Sequence, residues 1–400
     1  MSNRFEGGGS IVRDRMIGLD FLRGIAILAV IGYHFKPIET GIPVISVVQY
    51  PLTHYGLEGV TLFFTLSGFL VGGLLLRQYA ESGSIQARRF IIRRIFKIWP
   101  AYYVLIAFHL IAGRHPAATF LVQNLTHLQN YLGTSITQTW SLAVEEHFYL
   151  FLPLMLLLFA HWRMRPSAML AVLGLLCLAV LAARSLAVYR GEFHAASVYT
   201  QYRMDSLLAG VMLAVVYWTM PATYTRLARQ KALLVSLIAM LVLWLAFAQR
   251  YEWLDKSVGY TIQGIGFVAL LVVMLESRGT LTRTLGGRAV SWIGVYSYGI
   301  YLWHSIALAP VALFVSKATA YGVPPWVIWC VALAMQLAIS LGVGYIAARA
   351  IEFPFLRLRD ALFPDRQPHS ERNRTGLGRR SPALPAVRAT TAAAGHAERD

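Results

Sequence analysis

The feature that most constrains this chain is a succession of about ten long apolar stretches, each broken by a short polar loop. The hydrocarbon core of a bilayer takes about 20 mostly apolar residues of helix. Stretches of that kind occupy approximately residues 19–35, 55–76, 96–113, 140–160, 167–188, 203–220, 232–249, 257–275, 290–314 and 325–348. Lipid offers the backbone no hydrogen-bond partners, so segments that cross it must be helices or closed barrels. The expected fold is therefore an all-α integral membrane bundle of about ten transmembrane helices. Composition agrees: 57% of residues are hydrophobic and 14% charged, against about a quarter charged in soluble domains.

Charge sets an expected orientation. The net charge of +17 would point to nucleic acid in a soluble protein, but here Lys and Arg gather in alternate loops and the tail. Arg4, Arg13 and Arg15 precede the first stretch; Arg77, Arg88, Arg89, Arg93, Arg94 and Lys97 lie between the second and third. Arg163 and Arg165, then Arg226, Arg229 and Lys231, then Arg278, Arg283 and Arg288 continue the same side. The intervening loops are poorer, with Lys36, Arg114, Arg190, Arg250, Lys256 and Lys317. The positive-inside rule then places both termini in the cytoplasm and removes the reason to invoke nucleic acid. Three regions follow: a cytoplasmic segment 1–18, a membrane domain 19–358, and a tail 365–400 that is Arg-, Pro- and Ala-rich and reads as disordered. The first apolar stretch is long enough to remain as an anchor, so no cleaved signal peptide is expected. Cys177 and Cys330, both in apolar runs, exclude a disulfide framework and offer no zinc cluster.

Ionisable residues inside such stretches are costly in lipid and mark functional sites. In "LDFLRGIAILAVIGYHFK", Arg23 and His34 are separated by ten apolar or small residues. Eleven steps of 100° come within about 20° of three full turns, and the rise separates the two by about 16 Å. One helix face thus offers a cation near the cytoplasm and an imidazole deep across the membrane, unless Arg23 snorkels to the interface and His34 caps the outer end. In "TWSLAVEEHFYLFLP", Trp140 is an outer interfacial residue, with Glu145 and Glu146 one to two turns inside. Glu145 would stand at the depth of His34 and could hold its tautomer, whereas Glu146 could instead favour the helix start. In "RRFIIRRIFKIWPAYY", Arg94 and Lys97 share a face near the cytoplasmic surface. They suit a phosphate group, or simply set topology and contact anionic lipid. Trp140, Arg203 and Asp205 are candidate substrate contacts, with a structural ion pair the alternative for the last two. Ser67 can bond within its own helix, Gly68 and Gly72 form a packing face, and His304 is expected to be buried with its role open. Walker, dinucleotide-binding, nucleophile-elbow and HExxH motifs do not occur, and no metal site is expected.

Seven fragments in order, "LDFLRG" with His34 after Arg23, "LFFTLSGFL", "RRIFKIWPAYY", "TWSLAVEEHFYL", "YRMDSLLAGVMLA", "SYGIYLWHS" and "IEFPF", make the chain resemble the acyltransferase-3 family of membrane O-acyltransferases from about Leu19 to Leu358. The resemblance implies transfer of an acyl group, often acetyl, from cytoplasmic acyl-CoA to a hydroxyl of an extracytoplasmic or membrane-associated acceptor. It associates activity with Arg23 and His34, and handling of the acyl donor with Arg94 and Lys97; the family usually shows arginine where this sequence has Lys97. The SGNH hydrolase-like domain of some members is absent from this sequence, and a second transfer step by such a domain would need another protein. The expected partners are acyl-CoA, a carbohydrate or glycolipid acceptor and membrane lipids, with no permanently bound cofactor. His34 acts either as general base, with Glu145 orienting it, or as the acyl carrier itself. The expected location is the bacterial inner membrane. The competing class is a proton-coupled transporter, which also keeps His and Glu in the membrane; a third is a binding protein with a lapsed site.

Overall fold

The computed structural model describes residues 8–364 apart from 114–116, 135, 248–249, 278 and 280, with the side chains of 8–16 also left aside. The expected tail 365–400 and the N-terminal segment up to residue 16 therefore lie largely outside the described residues. In chain order the helices are α1 (Gly8–Tyr33), α2 (Pro43–His54), α3 (Gly56–Ser82), α4 (Ala87–Ile111), α5 (Ala117–Leu125), α6 (Gln129–Leu132) and α7 (Trp140–His161). There follow α8 (Pro166–Tyr189), α9 (Phe193–Val198), α10 (Thr200–Thr219), α11 (Pro221–Arg229), α12 (Lys231–Phe247) and α13 (Glu252–Leu254). The last are α14 (Tyr260–Glu276), α15 (Leu285–Val295), α16 (Ser297–Trp303), α17 (Leu308–Ala320), α18 (Pro325–Ala347) and α19 (Phe353–Leu362). No strand occurs among the described residues.

Each expected stretch falls on a helix. Among the described residues, seven helical segments are long and apolar enough to cross a membrane: Gly56–Ser82, Ala87–Ile111, Thr137–His161, Pro166–Tyr189, Glu252–Glu276, Ser297–Ala320 and Pro325–Leu362. Phe193–Thr219 and Pro221–Arg229 meet at a bend of 113° and make an eighth if the pair is one span, and Lys231–Phe247 is a shorter apolar helix. Leu, Val and Phe side chains stay exposed along these helices, for example Leu150, Leu154, Leu175 and Leu178, as a lipid-facing surface requires.

The helix ends follow their local chemistry. Pro166 and Pro325 stand in the first turns of α8 and α18, where proline loses no needed hydrogen bond. Gly83 stops α3 at φ +67°, its N–H donating to the Tyr79 carbonyl. In the interior, α3 and α10 approach backbone to backbone: a Cβ added at Gly68 would lie 1.9 Å from the Leu207 carbonyl oxygen, and one at Gly210 2.1 Å from that of Thr65. This is small-residue packing of the kind that replaces hydrophobic driving force between helices in lipid.

Three departures from the expected boundaries matter for the site. The stretch at 290–314 resolves into α15, which packs on α1, and a crossing helix at Ser297–Ala320 interrupted by a 3₁₀ turn at His304–Ala307. The last span runs on through a π-helical turn at Ala348–Glu352 into α19. Between α4 and α7 the chain is not an open loop: α5 docks on α4, where Tyr102 donates to the Asn124 carbonyl at 2.9 Å, and α6 packs against α7 and α9. His127 there stacks on Trp99 and Tyr102. Burial holds the His127 imidazole down to about 4, and it packs as a neutral aromatic.

Candidate active site

Two cavities of about 420 Å³ each adjoin inside the bundle, and both are lined by Val60 and Tyr301. Helix α1 serves both. Arg23 lines one, and His34, the first residue after the helix, lines the other.

The Arg23 cavity is charged. Arg94 and Lys97, one turn apart on α4, line it with Arg23, and Glu145 and Glu352 supply two carboxylates. The three cations line the cavity itself with two carboxylates, while a third carboxylate, Asp20, pairs with Arg23 from outside the lining. Arg23 is ion-paired to Asp20 at 3.1 Å, one turn earlier on α1. Arg94 lies over the rings of Phe90 and Tyr149, 5.4 and 5.3 Å from their centroids, a placement that desolvates the guanidinium and restricts its rotamers. The Tyr149 hydroxyl donates to Glu145 Oε2 at 2.7 Å and lies 2.7 Å from Ser67 Oγ. Phe63, Phe64 and Leu70 complete an apolar wall along α3.

The His34 cavity is different in kind. His34 Nδ1 lies 2.9 Å from the Val30 carbonyl; a carbonyl only accepts, so Nδ1 carries a proton, and in the neutral ring the lone pair is on Nε2. The ring packs edge-to-face on His304, centroids 4.8 Å apart. His304 is fully buried, its Nδ1 donating to the Tyr301 carbonyl at 2.7 Å, a geometry made by the 3₁₀ turn. At the junction of the cavities the Tyr301 hydroxyl donates to the Gln138 carbonyl at 2.9 Å and meets Ser141 Oγ.

The expected residues separate into those the fold gathers and those it does not. Arg23, Arg94, Lys97 and Glu145 line one cavity, His34 and Trp140 the other. The expected pairing of Glu145 with His34 is corrected: Glu145 faces the cationic cavity and bonds Tyr149, while the ring beside His34 is His304. Equal depth on two helices does not place two side chains on the same side of a wall. Glu146 accepts from Trp99 Nε1 at 3.2 Å. The expectation for Asp205 as a substrate contact is also corrected. Its carboxylate is buried against Arg184 at 2.9 Å and accepts from Thr261 at 2.6 Å and the Ser206 amide at 3.0 Å. Arg203 is not its partner; it stacks on Tyr260 at 3.4 Å, donates to Thr61, and stands behind Trp140. Sequence reasoning also missed Glu352, which the π-helical turn presents to the cationic cavity. The acid at the end of an apolar span, in "IEFPF", was its signal.

A family profile described as an acyltransferase domain, that of the acyltransferase-3 family, matches residues 16–345. The chain belongs to that family. It is similar to the peptidoglycan O-acetyltransferase OatA of Listeria monocytogenes, with 29% identity over 374 residues, covering 84% of this chain and 55% of that protein. It is similar to the putative peptidoglycan O-acetyltransferase YrhL of Bacillus subtilis, 28% identical over 315 residues, 72% of this chain and 48% of that protein. A putative O-acetyltransferase of Staphylococcus aureus is 25% identical over 371 residues, 85% of this chain and 57% of that one. The chain thus spans about half the length of the curated relatives it matches. No solved structure matches it. Family membership and the seven apolar helices together make it a multi-pass integral membrane protein.

Proposed function

We propose that this protein is an O-acyltransferase of the bacterial inner membrane, moving an acyl group, acetyl in the first instance, from cytoplasmic acyl-CoA to a hydroxyl of a cell-envelope carbohydrate or related acceptor. The observation that carries the reading is the pair of adjoining cavities, one cationic and one holding His34, that meet at Val60 and Tyr301. With both termini cytoplasmic, the cationic cavity faces the donor side and His34 the acceptor side.

On this reading the donor phosphates bind Arg94, Lys97 and Arg23, Arg94 offering the bidentate fork that phosphate oxygens match. The apolar wall of α3 accompanies the pantetheine arm toward Tyr301. In the neutral ring, with the Nδ1 proton on the Val30 carbonyl, His34 Nε2 takes the proton of the acceptor hydroxyl as its oxygen attacks the thioester carbonyl. The new ester bond forms, the C–S bond breaks and CoA leaves as thiolate, to be reprotonated. Covalent transfer through His34 would use the same nitrogen. No part of this requires Glu145, and its place beside Tyr149 in the cavity of Arg94 supports a role on the donor side. The relatives named for peptidoglycan O-acetylation support a glycan acceptor.

The test compares acetyl-CoA binding and cleavage by purified wild type and His34→Ala. The expected result is normal donor binding with cleavage reduced by about 10²–10⁴-fold, the usual contribution of a general base. Cleavage at the wild-type rate by the variant would overturn the assignment. Wild type that binds no acetyl- or longer acyl-CoA would favour proton-coupled transport instead.

A further inference from the structure

The His34 cavity carries two buried amides with one feature in common. Gln129 and Asn130, adjacent on the short helix α6, are 1% and 2% exposed, and both line the cavity. Gln129 Nε2 donates to the Thr139 carbonyl at 3.0 Å. Asn130 Nδ2 donates to the Val198 carbonyl at 3.2 Å and to Thr200 Oγ1 at 3.0 Å. Because carbonyls only accept, these bonds fix which end of each amide is nitrogen. The end left over in each case is the oxygen, and among the described residues neither Gln129 Oε1 nor Asn130 Oδ1 has a partner. Two buried acceptors without donors are an unmet cost in the protein alone, and a ligand that brings O–H or N–H groups removes it.

The rest of the wall narrows the ligand further. Among the described residues, those lining this cavity include no Asp, Glu, Lys or Arg, in contrast to the cationic cavity beside it. A charged ligand would find no carboxylate, ammonium or guanidinium in that lining to pair with. Tyr33 and Trp140 offer aromatic surface, and Thr134 and Thr137 add hydroxyls.

We propose that Gln129 and Asn130 form the acceptor subsite, their side-chain oxygens accepting hydrogen bonds from the hydroxyl or acetamido N–H groups of one neutral sugar unit, with Trp140 beside the ring and His34 at the reacting hydroxyl. The identity of the reaction rests on the acyltransferase reading; the sugar site itself does not. Neither residue exchanges atoms with the substrate, so both are binding residues that select a neutral, polyhydroxylated acceptor.

The experiment measures binding of a β-1,4-linked N-acetylglucosamine tetrasaccharide to the purified full chain by calorimetry. Wild type is expected to bind it, and Gln129→Leu and Asn130→Ala to bind at least tenfold more weakly. A second measurement does not depend on burying a substitution. Thr137 is exposed and lines the cavity, so Thr137→Cys, with Cys177 and Cys330 replaced by Ala, reports occupancy through its rate of maleimide labelling. The tetrasaccharide is expected to slow that labelling severalfold. Unchanged affinity in both amide variants, or labelling that the sugar does not slow, would overturn the proposal. Sugar binding and protection without any acetyl transfer would leave the subsite standing and overturn the acyltransferase reading.

Discussion

At the residue scale Arg94 and the Arg184–Asp205 pair do opposite work. Arg94 lies in a cavity with its fork available, so Arg94→Lys keeps the charge and loses the bidentate geometry. Its expected effect is a rise of about tenfold in KM for acetyl-CoA, worth about 1.4 kcal/mol, with a smaller change in kcat; steady-state kinetics checks it. Arg184 and Asp205 are both buried, and Arg184 also donates to the Ser257 and Tyr202 carbonyls at 2.7 Å. The pair ties α8 and α10 to the start of the α14 span. Asp205→Asn leaves Arg184 buried without its counter-charge, and removal of one partner of such a pair costs about 3–5 kcal/mol. Thermal unfolding in detergent should fall accordingly, while KM for both substrates in surviving protein stays near wild type. A large KM effect at normal stability would restore Asp205 to the site. The candidates His34, Arg23, Arg94 and Lys97 were legible because a charge or imidazole inside an apolar run is conspicuous. Gln129 and Asn130 were not: uncharged residues in a polar loop carry no such cost, and their meaning comes from burial that the loop acquires only by docking against α7 and the junction of α9 and α10.

At the element scale the helices were legible and their interruptions were not. Hydropathy locates a run of apolar residues but is indifferent to a 3₁₀ turn or a π turn, which change hydrogen-bond spacing without changing composition. Yet these turns present His304 to His34 and Glu352 to Lys97's cavity. Small residues were readable as a packing face, and their partner was not. Gly68 lies against backbone of α10, whereas a Cβ at Gly72 would meet side chains of Val211 and Ala214 at 3.3–3.4 Å. Gly68→Val should therefore force α3 from α10 and cost at least the roughly 1–3 kcal/mol usual for overpacking. Gly72→Ala should cost less than 1 kcal/mol on the same scale. Comparing the two melting temperatures in one detergent checks the contrast; equal losses would mean that α3 and α10 do not make this close approach.

At the scale of the whole molecule, the arginine distribution predicts which ends of the helices share a side. Single cysteines introduced at Ser84, between α3 and α4, and at Gly191, between α8 and α9, lie in loops on opposite sides under the positive-inside rule. In a Cys177→Ala, Cys330→Ala background, a membrane-impermeant thiol reagent added to intact cells should label Gly191→Cys, and Ser84→Cys after permeabilisation alone. The reverse pattern would turn the molecule over and put His34 on the cytoplasmic side.

The sequence by itself determined the environment, the helical class, the approximate position of each long helix and the cations and imidazole placed within them. These are properties of local composition and of a regular rise per residue, so they can be read along one dimension. The tertiary structure alone decided that Arg23 and His34 serve two adjoining cavities, that Glu145 lines the cavity of Arg23 and not that of His34, that Asp205 is locked to Arg184, and that two amides of a docked loop line the cavity of His34. Each of these depends on which helix face meets which neighbour. That choice is made by packing between residues distant in sequence, where a rotation of one helix by a single residue, about 100°, moves a carboxylate from one cavity to another.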